Sequence, residues 1–278
     1  MRPKRSGGKK LRHETKTKTK PRKKPITITL AAAMNRIDHM IKLVVENVRA
    51  VISLEAMLET GNEAVTALRN GADRGLNWYG ANCYNVVIHS VTLNMALTLA
   101  RLFDLGVRSK HRNKRDVASI PLLLSLVKQK RCCAALSKRA REWTPLIGMA
   151  AEHEMTVRKE IDAAISVYRG LTITHKGRLA ASTLKGFRDQ KLAHSLMVAV
   201  SKPLARPRFE ELTLLLNTAV SVTAHLRLAI DGQNWDPTEF KQIARHQGNA
   251  FWGPAIAAVV EAEKKPSKLT LPIHQLTS

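Results

Sequence analysis

The run Phe187-Arg188-Asp189-Gln190-Lys191-Leu192-Ala193-His194-Ser195 gathers the side chains best suited to chemistry in this sequence. Arginine keeps its charge at neutral pH and presents a planar fork that matches phosphate oxygens. Histidine exchanges a proton near neutrality. The same run also reads as an ordinary structural helix, with His194 hydrogen-bonded inside a bundle.

Spacing alone does not decide between the two. With 23 arginines and 10 histidines, an Arg followed by His five to seven positions later arises by chance roughly two or three times in such a chain. Two matches occur: Arg169 to His175 and Arg188 to His194. The first runs through Gly-Leu-Thr-Ile-Thr, which predicts an inter-helix turn, whereas the second is a polar-then-apolar helical run. Other enzyme signatures are absent. There is no G-x-x-x-x-G-K-[ST], G-x-G-x-x-G, H-E-x-x-H or G-x-S-x-G. His153, between Glu152 and Glu154, has no second histidine at helical spacing and is expected on a solvated helix face. Cys83, Cys132 and Cys133 form neither a disulfide framework nor a C-x-x-C zinc site and are expected as small buried hydrophobes in a reducing compartment. No metal or cofactor is expected.

The elements that must position the motif are helices. Aromatic residues are only 4% of the 278, and the apolar ones are mostly Ala, Leu, Val, Ile and Met. Ile37, Ile41, Val44, Val48, Val51 and Leu58 recur three and four apart, with Glu55 interrupting, and predict one long helix over 28–59 that ends before Gly61. A short helix is expected over 62–70, broken by Gly71 and Gly75, and a third over 77–104. Ser119 with Pro121, and Thr144 with Pro145, look like helix starts. The second of these helices should reach Tyr168 and stop before Gly170. Further helices are expected over 178–200, over 208–230, and from Asp236-Pro237 to Glu263. The fold class is therefore all-α, an up-and-down bundle.

Charge sets the partner class. Lys and Arg number 46 against 22 Asp and Glu, a formal +24 that suits a polyanion. Residues 1–26 form a basic arm with no apolar period, expected to be disordered, and include Lys9, Lys10, Arg22, Lys23 and Lys24. Arg108, Lys110, Arg112, Lys114 and Arg115 make an exposed basic loop. With Lys191, these are the candidate nucleic-acid contacts, since Lys and Arg on phosphates give sequence-independent affinity. Trp78, Tyr79, Trp143, Trp235 and Trp252 are expected to pack in the core rather than stack on bases. The uncharged stretch 75–100 is long enough to raise the question of a membrane span. Its Asn, His, Ser and Thr residues argue for a buried, partly polar helix and no integral membrane association. The N-terminal residues hold no apolar run of secretory type, so a cytoplasmic location is expected.

Arg188-Asp189 followed by Leu-Ala-His resembles the R-D/N-x-x-x-A-H form of the AbiU-type, abortive-infection branch of the HEPN superfamily of helical nucleotide-binding and ribonuclease domains. The stretch from Asn85 to Asp104, ending Leu97-Thr-Leu-Ala-Arg101-Leu-Phe-Asp104, is similar to that branch as well. The resemblance implies a HEPN-type bundle over 27–232, leaving 233–263 as a C-terminal helical extension and 264–278 as a flexible tail. It also implies a metal-independent endoribonuclease, acting in phage defence or as a toxin. Arg188 and His194 would be catalytic and Asp189 supporting, orienting the arginine or fixing the imidazole tautomer. Positions six apart on a straight helix differ by roughly 240°, so one chain brings Arg188 and His194 to no common face. What the resemblance implies here is a homodimer whose motif helices meet in a shared cleft. RNA is the expected partner, with an antitoxin or inhibitor protein a further one. The competing reading is a non-catalytic all-helical nucleic-acid-binding or adaptor protein.

Overall fold

The computed structural model describes residues 28–70, 81–105, 117–143, 148–193 and 206–264. The basic arm, Trp78-Tyr79, the basic loop from Arg108 to Arg115, Thr144-Pro145, His194 and the tail beyond 264 lie outside them. Among the described residues there are eight helices and no strand, the all-α bundle that the periodicity predicts.

Thr29 opens α1 (Leu30–Asn70), its hydroxyl accepting the Ala32 N–H at 3.2 Å. The predicted stripe from Ile37 to Leu58 is buried, Glu55 included. The helix does not end before Gly61, and the separate helix expected over 62–70 is its continuation. Gly61 serves packing instead. A Cβ there would lie 2.9 Å from the Trp252 indole, which covers this turn and donates its Nε1–H to the Met57 carbonyl at 2.9 Å.

The uncharged stretch forms α2 (Ala81–Leu102). It is long and apolar enough to cross a membrane by composition, as is α7 (Phe209–Asp231). The two differ in burial: α7 is 56% buried and runs through the core, whereas α2 is 28% buried. The expectation that α2 is a buried helix is thus only partly met, because its Asn82, Asn85, His89, Ser90 and Asn94 side stays exposed.

Ser119 and Pro121 do begin a helix, α3 (Ile120–Val127), which breaks at Lys128-Gln129 before α4 (Lys130–Ala140). Next comes α5 (Ala150–Ile173), passing through Gly170 without stopping. Only Thr174, extended at φ −74° and ψ 144°, separates it from α6 (His175–Ala193). The Thr174 hydroxyl accepts the Gly177 N–H at 3.2 Å and so caps α6. At Gly177 a Cβ would sit 2.0 Å from the Leu171 carbonyl oxygen, so this sharp corner requires glycine. α7 closes the core against α5 and α1 through Leu212, Leu215, Leu216, Ala219, Val222 and Leu226. Asp236 caps α8 (Pro237–Lys264) by accepting the Thr238 N–H at 2.8 Å, and α8 then lies along α1.

Candidate functional site

The second half of α6 carries the motif. Leu184 and Phe187 face the core, and this places Arg188 at the edge of the buried layer with its side chain only 18% exposed. Its Nε and Nη2 donate to Asp189 Oδ1 at 2.9 and 2.7 Å. Its Nη1 pairs with Asp104 Oδ2 at 2.7 Å. Burial opposes the charge, but bonds to Asp189 and the charges of both carboxylates outweigh it and hold the guanidinium above its ordinary pKa.

Asp104 is itself held from two sides. Its N–H donates to the Arg101 carbonyl at 3.2 Å in the last turn of α2, and its carbonyl accepts the Ser119 hydroxyl at 2.6 Å from the start of α3. A carboxylate just past a helix C-terminus is disfavoured by the helix dipole unless a cation answers it. Arg188 answers it. The motif does not mark Asp104; the signal that could have found it is an acid placed just past the C-terminus of a long apolar helix, where the dipole calls for a cation.

Beside this pair is a cavity of about 500 Å³ between the ends of α2 and α5 and the length of α6. Ala100, Leu171, Gly177 and Leu184 make a buried apolar floor, with Phe103 and Tyr168 also in the lining. Arg178, Lys185 and Arg188 line it from α6, against the single carboxylate of Asp104. Burial pushes the Tyr168 phenol up, so it keeps its proton at neutral pH. A second cavity of about 640 Å³, between α1, α4 and α7, mixes both signs of charge. Arg139 there is committed to Asp38 at 2.8 and 3.0 Å and to the Ile230 carbonyl at 2.6 Å, as befits a structural bridge.

The structure brings Arg188 and Asp189 together and adds Asp104. Lys191 lies in α6. His194 and the candidate contacts Lys9, Lys10, Arg22, Lys23, Lys24, Arg108, Lys110, Arg112, Lys114 and Arg115 fall outside the described residues. Three expectations need correction. Arg169 through Ile173 is not a turn but the last turn of α5, because its β-branched residues are tolerated in a helix that packs on neighbours. His153 is half-buried rather than solvated, its ring 5.7 Å from that of Trp143. Trp235 and Trp252 are buried as expected, but of the cysteines only Cys132 is; Cys83 is exposed on α2. A histidine–carboxylate pair that the pattern did not flag, His225 Nδ1 to Glu160 Oε2 at 2.6 Å, joins α7 to α5 and does not line the cavity.

Compared with curated proteins and with solved structures, the chain matches none. A family model does match: AbiU2, of the HEPN type, over residues 37–251. That span takes in most of α1, the whole of α2 to α7 with the Arg188 site, and the first half of α8. The chain therefore belongs to the HEPN AbiU2 family.

Proposed function

We propose that this chain is a metal-independent endoribonuclease acting as a homodimer, with Arg188 and His194 of both protomers lining one cleft. The observation that carries this reading is Arg188 itself. It is held part-buried by carboxylates from two elements, at the edge of a cavity, in the motif helix of a HEPN chain. His194 takes the proton of a ribose 2′-hydroxyl, and the 2′-oxygen attacks the adjacent phosphorus. Arg188 stabilises the charge that builds on the phosphorane oxygens. The 5′-oxygen of the next nucleotide leaves and takes a proton from the imidazolium that His194 has become, giving a 2′,3′-cyclic phosphate and a free 5′-hydroxyl. Asp189 and Asp104 act through Arg188, fixing its plane.

The basic arm, the loop Arg108 to Arg115 and Lys191 supply sequence-independent affinity for RNA. The setting that fits is the cytoplasm, in phage defence or as a toxin restrained by an antitoxin or inhibitor protein. Purified protein is tested on total RNA and tRNA in EDTA, as wild type, Arg188→Ala and His194→Ala. The expected result is cleavage that survives chelation, leaves cyclic phosphate ends and is lost in both variants. Cleavage unchanged in both would remove the assignment of the two residues.

One observation favours a second reading, a non-catalytic nucleic-acid-binding or adaptor bundle. Three of the five Arg188 N–H groups are already spent on carboxylates, as in a structural arginine. On that reading Arg188→Ala lowers the melting temperature, and no folded, dimeric preparation cleaves any RNA.

A further inference from the structure

We propose that the cavity beside Arg188 is a base-binding subsite: it takes one unpaired base of a single-stranded RNA while the α6 cations hold the flanking phosphates. The inference rests on the nuclease reading for the identity of the strand, and on the cavity alone for the subsite.

Size is the first argument. About 500 Å³ lies within the roughly 300–1,000 Å³ of sites that take small organic ligands. Chemistry is the second. The floor is apolar, and the rings of Phe103 and Tyr168 offer surfaces on which any base can stack. The Tyr168 hydroxyl, protonated at neutral pH, can donate a hydrogen bond to a ring nitrogen or carbonyl. A base paired in a duplex has its faces stacked and its pairing edge occupied, so it cannot enter the cavity, which therefore selects single strands.

Placement is the third argument. Arg178, Ser182, Lys185 and Arg188 follow one another at four, three and three residues, which keeps them on one side of α6 over about 15 Å. That row is long enough to meet successive backbone phosphates. Among the described residues the one acid in the lining, Asp104, is already bonded to Arg188, so its charge is answered before a polyanion arrives. The row ends at the residue assigned to the phosphorane. A base seated in the cavity therefore belongs to a nucleotide next to the scissile bond, and the subsite sets where the strand is cut.

The test uses full-length protein and short RNAs carrying a single abasic ribose beside the cut, with 2′-O-methylated copies for binding. Ser182→Trp and Thr172→Trp fill the cavity from α6 and α5; both positions are exposed, so the core is untouched. Wild type should bind and cleave the intact strand about tenfold or more better than the abasic one. Both tryptophan variants, folded by circular dichroism, should handle the two strands alike, at the abasic level. Equal handling by wild type, discrimination that persists in both variants, or no RNA binding at all would overturn the subsite. Tight binding of free mononucleotides, lost in the variants while strand discrimination is absent, would overturn it in favour of a free nucleotide. Discrimination in binding without any cleavage would uphold the subsite and defeat the nuclease reading.

Discussion

Arg188 shows how a motif residue acquires a defined direction. Two carboxylates engage three N–H groups of its guanidinium, and Asp104, the one supplied by another element, is pinned at both its N–H and its carbonyl. Asp104→Asn keeps the shape and removes the charge. On the proposed mechanism it should lower kcat about a hundredfold, since a small misplacement of a reacting group costs that much, while leaving KM near that of the wild type. The pair is largely shielded from water, but Arg188 keeps Asp189, so the loss of stability in thermal unfolding should stay within about 1–3 kcal/mol. Asp104→Glu, which restores the charge, should recover part of kcat; equal losses in both variants would contradict the positioning role. Of this site, Arg188 and Asp189 were legible in the sequence as a local pattern. Asp104 was not, because it lies 84 positions away and only the packing of α2 on α6 makes it a neighbour.

At the scale of the helices, periodicity was a good guide wherever one face meets the core. The start of α8 at Asp236-Pro237 and the extent of α7 follow from the cap and the stripe, to within a residue. Glycine misled at two positions. Gly61 and Gly170 looked like stops, yet helices run through both, since tertiary contacts override a cost of about 1 kcal/mol per glycine. Gly61→Leu should therefore not lengthen or strengthen α1 but push Trp252 away, destabilising the fold by about 1–3 kcal/mol in a denaturant titration. α8 also covers Glu55, whose carboxyl is buried at 6% exposure near Lys241 Nζ, 4.0 Å away, and Thr213 Oγ1, 3.3 Å away. Burial, offset in part by Lys241 and that hydroxyl, raises its pKa. The folded state thus holds this proton more tightly than the unfolded chain does. The stabilisation is complete below the ordinary carboxylate pKa and is lost as pH rises through the raised value. Glu55→Gln removes that loss. Its melting temperature relative to wild type should climb as pH rises above the ordinary carboxylate pKa, and a difference that stays flat with pH would show that Glu55 does not titrate on this account.

For the molecule as a whole, charge and fold are separable. Residues 1–25 hold twelve Lys and Arg against one acid, and the remainder of the chain still carries a formal +13. Deleting residues 1–26 should weaken RNA binding at low salt and flatten the dependence of log K on log salt, each lost phosphate contact reducing the slope by about 0.7 on a single strand. Cleavage at saturating RNA should persist, because α1 begins at Leu30 and Arg188 belongs to α6. An unchanged slope would mean that the arm does not touch RNA.

The Ser119 hydroxyl on the Asp104 carbonyl has a consequence for how this protein can change. It joins the two ends of the segment 105–118 like a clasp, so that whatever passes between them starts and finishes at one fixed point. Lengthening such a closed loop costs only slowly rising entropy. The sequence between these two ends can then lengthen, shorten or trade its charges across generations while Asp104 keeps its bond to Arg188, so that on the proposed function RNA affinity can change without moving the arginine.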